Sequence, residues 1–201
     1  MAIGYLRLDE INEKAEKFLL KYNPGRTFPL PIEMIVERDL QFQIVPMENL
    51  QAKFEADGFL TADLKSIYVD DYVFRNRPNR YRFTLAHEVG HSILHKDLFN
   101  MNQFTNVSDW QEYIAEMDPL EYRKLEFQGP QFAGFVLVPR PELEVAFKKN
   151  IPIVEPILKG NKYRIGYAIE VMAGLIAPKF GVSDSVIERR IKTDSLHDLI
   201  M

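Results

Sequence analysis

The chain has 201 residues, no cysteine, and a formal charge of −4 from 25 basic and 29 acidic side chains. Its 46% hydrophobic and 27% charged content is that of a soluble globular protein, which excludes a disordered chain or a coiled-coil rod. The mild acidity argues against a nucleic-acid coat or a polybasic membrane binder, and the lack of cysteine excludes disulfides, thiolate metal sites and thiol catalysis. It also fits a reducing compartment. The first ten residues lack the basic start and long apolar run of a signal peptide. No stretch approaches the ~18–20 apolar residues of a membrane helix. The expectation is a soluble, cytoplasmic protein of one domain, or one domain with a small appendage.

Taken in order, Asp9 is a candidate N-cap for a first helix to about Tyr22, with Ile11, Ala15, Phe18, Leu19 and Tyr22 on one face. Asn23-Pro24-Gly25 stops it. Pro31 opens a short helix through Val36, and Gln41–Val45 alternates as a half-buried strand does. Phe59–Thr61 and Ser66–Asp70 form a predicted hairpin around a polar turn. Ser66–Asp70 is a candidate to align an extended peptide by strand addition, or else an ordinary core strand. A loop with Asn76 and Pro78 leads into a helix from about Arg82 to His95. Ser108 is a candidate N-cap, and Asp118-Pro119 has the form of a cap followed by proline at the first helical position. Gly129-Pro130 interrupts the helical pattern that follows, which resumes to about Val138. Three further helices are expected at Pro141–Lys149, near Asn161–Lys179 and at Asp184–Lys192. Helices, a small sheet, then helices read as α+β. A boundary near Arg140 divides a core, residues 1–140, from a helical C-terminal segment, 141–201, packed on it.

Three of the four histidines lie within nine residues, at His87, His91 and His95. His87 and His91 are four apart and share one helix face, so two imidazoles can converge on one Zn²⁺. Glu88 lies on the adjoining side, near enough to hold an attacking water. This H-E-x-x-H pattern is the arrangement of metal-assisted hydrolysis. The helix is apolar over most of its circumference, which predicts burial. Gly90 costs about 1 kcal/mol against alanine inside a helix, so a close neighbour is expected there. His95, some 12 Å along the axis from His87, is poorly placed to share the ion and reads as a supporting or core histidine. A third protein ligand must come from elsewhere, and Glu112, Glu116, Asp118, Glu121 and Glu126 are all open by spacing.

The segment Arg82-Phe83-Thr84-Leu85-Ala86-His87-Glu88-Val89-Gly90-His91, with Ile93-Leu94-His95, resembles the core of the ImmA/IrrE family of metallo-endopeptidases. A second block, Glu126-Phe127-Gln128, Phe132-Ala133-Gly134 and Leu137-Val138-Pro139, is similar to the family's second motif. A third, Phe180-Gly181-Val182-Ser183 with Val186, Arg189, Arg190 and Ile191, is similar to its C-terminal helical element. The resemblance implies a zincin-like core and a gluzincin-like site. His87, His91 and Glu126 would then be metal ligands, Glu88 the general base, and Zn²⁺ the cofactor. One departure is Gly129-Pro130, where the family commonly has Ala-Asn. Pro130 has no N–H for the Glu126 carbonyl, so a helix either starts there or bends just past Glu126. Glu121 is the reserve ligand.

The resemblance implies an intracellular zinc endopeptidase acting on a specific protein, with a helix-turn-helix repressor as candidate substrate and partner. The competing reading is a regulatory or toxin–antitoxin interaction protein whose metal site is structural or vestigial. Arg75, Arg77, Arg80 and Arg82 read as a salt-bridged scaffold rather than a nucleic-acid patch. The apolar Val182, Val186 and Ile191 make the last helix a packed one, against direct DNA binding. Trp110 and Tyr113 read as core.

Overall fold

A computed structural model describes residues 3–101, 104, 106–160 and 164–200. Helix α1 spans Leu8–Tyr22 and buries Ile11, Ala15, Phe18 and Leu19, the predicted stripe. Its N-cap is Arg7, not Asp9. Asp9 and Glu10 instead occupy the first turn, where carboxylates meet unpaired N–H groups, and Glu10 accepts the Arg7 N–H at 2.8 Å. A short α2, Ile32–Met34, runs on as a wider turn over Ile35–Asp39. Strand β1 is Gln43–Met47, two residues later than predicted, and α3, Leu50–Phe54, was not foreseen.

Strands β2, Gly58–Leu60, and β3, Ser66–Asp70, form the expected hairpin. The sheet order is β1-β3-β2, with β1 parallel and β2 antiparallel to β3. This corrects the strand-addition expectation. β3 is hydrogen-bonded on both sides, so its backbone is already used; β1 and β2 are the edges, and β2 is the one that lines the cleft described below. Asp70 N–H donates to Asp57 O and Thr61 N–H to Ser66 O. By antiparallel alternation, Gly58 and Leu60 turn their peptide groups away from β3.

Asp70 caps α4, Asp71–Asn76, by accepting the N–H groups of Tyr72 and Val73. Helix α5, Pro78–Leu94, starts four residues before the predicted Arg82 because Pro78 is pre-set for a first turn. After α6, Lys96–Met101, helix α7, Val107–Glu116, is capped by Asn106 rather than Ser108: the Asn106 side chain accepts the Asp109 N–H at 3.0 Å. Asp118 caps α8, Pro119–Leu137, as expected. α8 runs unbroken through Pro130, so no helix starts there. Helix α9, Arg140–Gly160, likewise contains Pro152 and Pro156 and outlasts the predicted end at Lys149. Helices α10, Ile165–Phe180, and α11, Asp184–Thr193, complete the chain with a 3₁₀ turn at Leu196–Ile200. The predicted start of α10 at Asn161 lies outside the described residues.

The fold is α+β, helix-rich with one three-stranded sheet. α5 lies at its centre, with the sheet against one side and α8 across the other; α1 covers α8. Phe132, Phe147 and Phe180 are fully buried and join the α8, α9 and α10 faces to one apolar core. Among the described residues no single helix is long and apolar enough to cross a membrane.

Candidate metal centre

One face of α5 carries His87 and His91, and the ring nitrogens converge: Nε2 to Nε2 is 2.7 Å. α8 crosses this face and brings Glu126. Its carboxylate oxygens stand 3.9 Å from His87 Nε2 and 3.8 Å from His91 Nε2. One donor atom from each residue lies within 4.8 Å of the others. The close approach of α8 depends on Gly129. A β-carbon there would stand 2.6 Å from Cδ2 and 2.7 Å from Nε2 of His87, and 3.1 Å from Cε1 of His91. Pro130 deprives the Glu126 carbonyl of its helical partner, yet Glu126 keeps its place beside the imidazoles.

The other candidate acids are elsewhere. Glu121 accepts from Lys124 Nζ at 2.6 Å and from the Ile3 N–H, which fastens the N-terminal segment to α8. Glu112 and Glu116 are exposed on α7, and Asp118 serves as a cap. His95 stands outside the donor cluster, its Nδ1 3.0 Å from His91 Nδ1.

Glu88 is buried, 7% exposed, under the edge strand. The Leu60 backbone amide favours its charged form, and among the described residues it has no cationic partner. Gly58 lets β2 come this close. A β-carbon there would lie 2.5 Å from Thr84 Cγ2 and 3.2 Å from Glu88 Oε1. Burial, helped by the Glu126 charge, pushes the Glu88 carboxyl up to about 8. Burial also raises Glu126 to about 7 and lowers His87 to about 4. His91 lies well below the ordinary imidazole value, again through burial first and its two neighbouring histidines second. Neutral imidazoles offer lone pairs, and two carboxyl groups without a cationic partner favour a counter-cation. Two nitrogens and one carboxylate suit a tetrahedral Zn²⁺ with its fourth position open to solvent. The residues present therefore fit the ion.

This cluster opens into a cleft of about 750 Å³. β2 forms one wall; Trp110, Ile114 and Tyr122 form the other. Trp110 packs against the edge of the core, as its sequence reading expects. It is half-buried, packs on Phe59 and Phe104 at 6.0 and 4.8 Å between ring centroids, and also faces the cleft. Tyr122 sits one helical turn before Glu126, a spacing that puts both on one face of α8.

Two of the four arginines in the run are salt-bridged. Arg75 pairs with Asp71 and Arg80 with Asp57, at 2.7 and 2.5 Å. Arg82 donates to the carbonyls of Gly181 and Leu30, and Arg77 lies over the Tyr72 ring. In α11, Ile187 and Ile191 are buried. Arg190 is buried too, donating to Val138 O at 3.1 Å and lying 2.8 Å from Asp194.

No curated protein matches the chain. Among solved structures, a Mycobacterium tuberculosis transcriptional regulator shares the fold, with a TM-score of 0.56 and 18% identity. The match covers 93% of this chain and 56% of that one, so the chain spans little more than half the length of its structural neighbour. The Peptidase_M78 family model, described as an IrrE N-terminal-like domain, matches residues 42–192, a span that holds the sheet, the histidine helix and the crossing α8. The chain belongs to this family of metallopeptidase-type domains.

Proposed function

We propose that the chain is a zinc-dependent endopeptidase that cuts a specific protein in the cytoplasm, a helix-turn-helix repressor being the candidate substrate. The observation that carries this reading is the joint placement of Glu88 and the His87–His91–Glu126 cluster at the floor of one cleft. His87, His91 and Glu126 would hold Zn²⁺, which when bound supplies a Lewis acid for the scissile carbonyl and for water. Glu88 takes the proton of the attacking water and delivers it to the leaving amine. Its burial matches that role, since a carboxylate outside water is a stronger base. The outward peptide groups of β2 align the substrate backbone as an added strand. The aromatic wall around Trp110 receives an apolar side chain.

The repressor assignment rests on the family resemblance. The structural neighbour, a transcriptional regulator by description, places the same fold in a protein of gene control. The competing interaction-protein reading has no use for a buried base beside the donor cluster. The test is digestion of a proteome-derived peptide library by zinc-loaded protein, with products read by mass spectrometry. Cleavage by the wild type, and none by Glu88→Gln at equal zinc content, is expected. Equal cleavage by both proteins ends the assignment.

A further inference from the structure

A line of hydrogen bonds leads away from the donor cluster into the N-terminal segment. His91 Nδ1 lies 3.0 Å from His95 Nδ1. His95 Nε2 lies 3.1 Å from Gln128 Oε1, and Gln128 Nε2 donates to the Gly4 carbonyl at 2.9 Å. Gln128 is fully buried, and His91 and His95 nearly so. Gly4 lies outside the residues matched by the family model.

The direction of every bond follows from its far end. A carbonyl only accepts, so Gly4 requires the amide nitrogen of Gln128 to face it. Gln128 then presents its oxygen to His95, which must donate from Nε2. A neutral imidazole carries one N–H, so His95 Nδ1 holds a lone pair and accepts. His91 must donate from Nδ1, which leaves its Nε2 lone pair aimed at the donor cluster. The 2.7 Å contact from His87 Nε2 agrees, because that nitrogen can then donate to His91 Nε2.

We infer that His95 and Gln128 are positioning residues, and that the Gly4 carbonyl, through them, fixes His91 in its metal-binding tautomer before any metal arrives. The inference rests on the reading of His91 as a ligand, but not on peptidase activity. An outer partner of this kind typically affects metal affinity by 10–100-fold.

The test uses the full chain. Long-range ¹H–¹⁵N spectra of the metal-free protein should show His91 protonated on Nδ1 and His95 on Nε2. On adding Zn²⁺, His91 should keep its tautomer while His87 loses its Nε2 proton. Gln128→Leu should mix the His91 tautomers and weaken Zn²⁺ binding 10–100-fold against a chromophoric chelator. Gln128→Glu should restore both, because a carboxyl kept protonated by this fully buried position donates to the Gly4 carbonyl and accepts from His95. His91 protonated on Nε2 in the metal-free wild type overturns the inference, as does Gln128→Leu with unchanged tautomers and affinity. Failure of the Glu88→Gln cleavage test would leave these readouts untouched, so the two ideas fail separately.

Discussion

The carbonyl oxygen of Gly129 on α8 stands 3.3 Å from the point where a β-carbon of Gly90 on α5 would lie. The same point is 3.1 Å from Phe132 Cδ1. This crossing sets the distance between the histidine helix and Glu126, and it supplies the close neighbour that Gly90 required. Phe132 is fully buried and cannot swing clear. Gly90→Val is therefore expected to destabilise the protein by about 1–3 kcal/mol through overpacking, despite removing a helix glycine. Urea unfolding checks this, and unchanged stability would mean that the helices yield freely at the crossing.

Glu88→Gln separates stability from chemistry. A buried carboxyl without a cationic partner is costly in its charged form, and an amide of the same shape is not. The metal-free variant should melt at a higher temperature than the wild type at neutral pH. Its peptide cleavage should fall by at least 10²–10⁴-fold, the usual contribution of a general base. Differential scanning calorimetry and the library digestion measure the two effects.

The two acids of α8 should behave differently. Glu126→Ala removes a donor within reach of both imidazoles and should lower Zn²⁺ affinity sharply. Glu121→Ala frees Lys124 and the Ile3 N–H but removes no donor from the cluster, and should cost far less affinity than Glu126→Ala. Chelator competition distinguishes them. Comparable losses would move the third ligand away from Glu126.

Arg190 and Asp194 form an ion pair with side chains only 4% and 7% exposed. Burial lowers the Arg190 guanidinium to about 10 and raises the Asp194 carboxyl, so desolvation outweighs the mutual attraction for both. Removing one partner strands the other charge. Arg190→Met should cost about 3–5 kcal/mol, whereas Arg190→Met with Asp194→Leu should recover most of it. Equal losses in the single and double variants, read by denaturant unfolding, would refute this.

Much of the site was legible in the chain itself, because its key pair is local. The four-residue spacing of His87 and His91 is one helical turn, so any helix through them brings the rings together. Caps such as Asp118 and stripes such as Ile11–Leu19 follow from the same short-range rules. Ser108 and Asp9 failed as caps because Asn106 and Arg7 lie nearby, and end positions shift by one or two residues at little cost.

What crosses the chain was decided by tertiary packing. Spacing gave five acids equal claim to the donor cluster, and only the α5–α8 crossing brings Glu126 rather than Glu121 to the imidazoles. The hairpin could be read, but not the parallel pairing of β1 that makes β3 central and leaves β2 an edge beside the cleft, since register between distant strands depends on the surfaces they bury together. The bond from Gln128 to Gly4, 124 positions apart, had no sequence signature at all. Local periodicity fixes which side chains share a face; which faces meet depends on how the whole core closes.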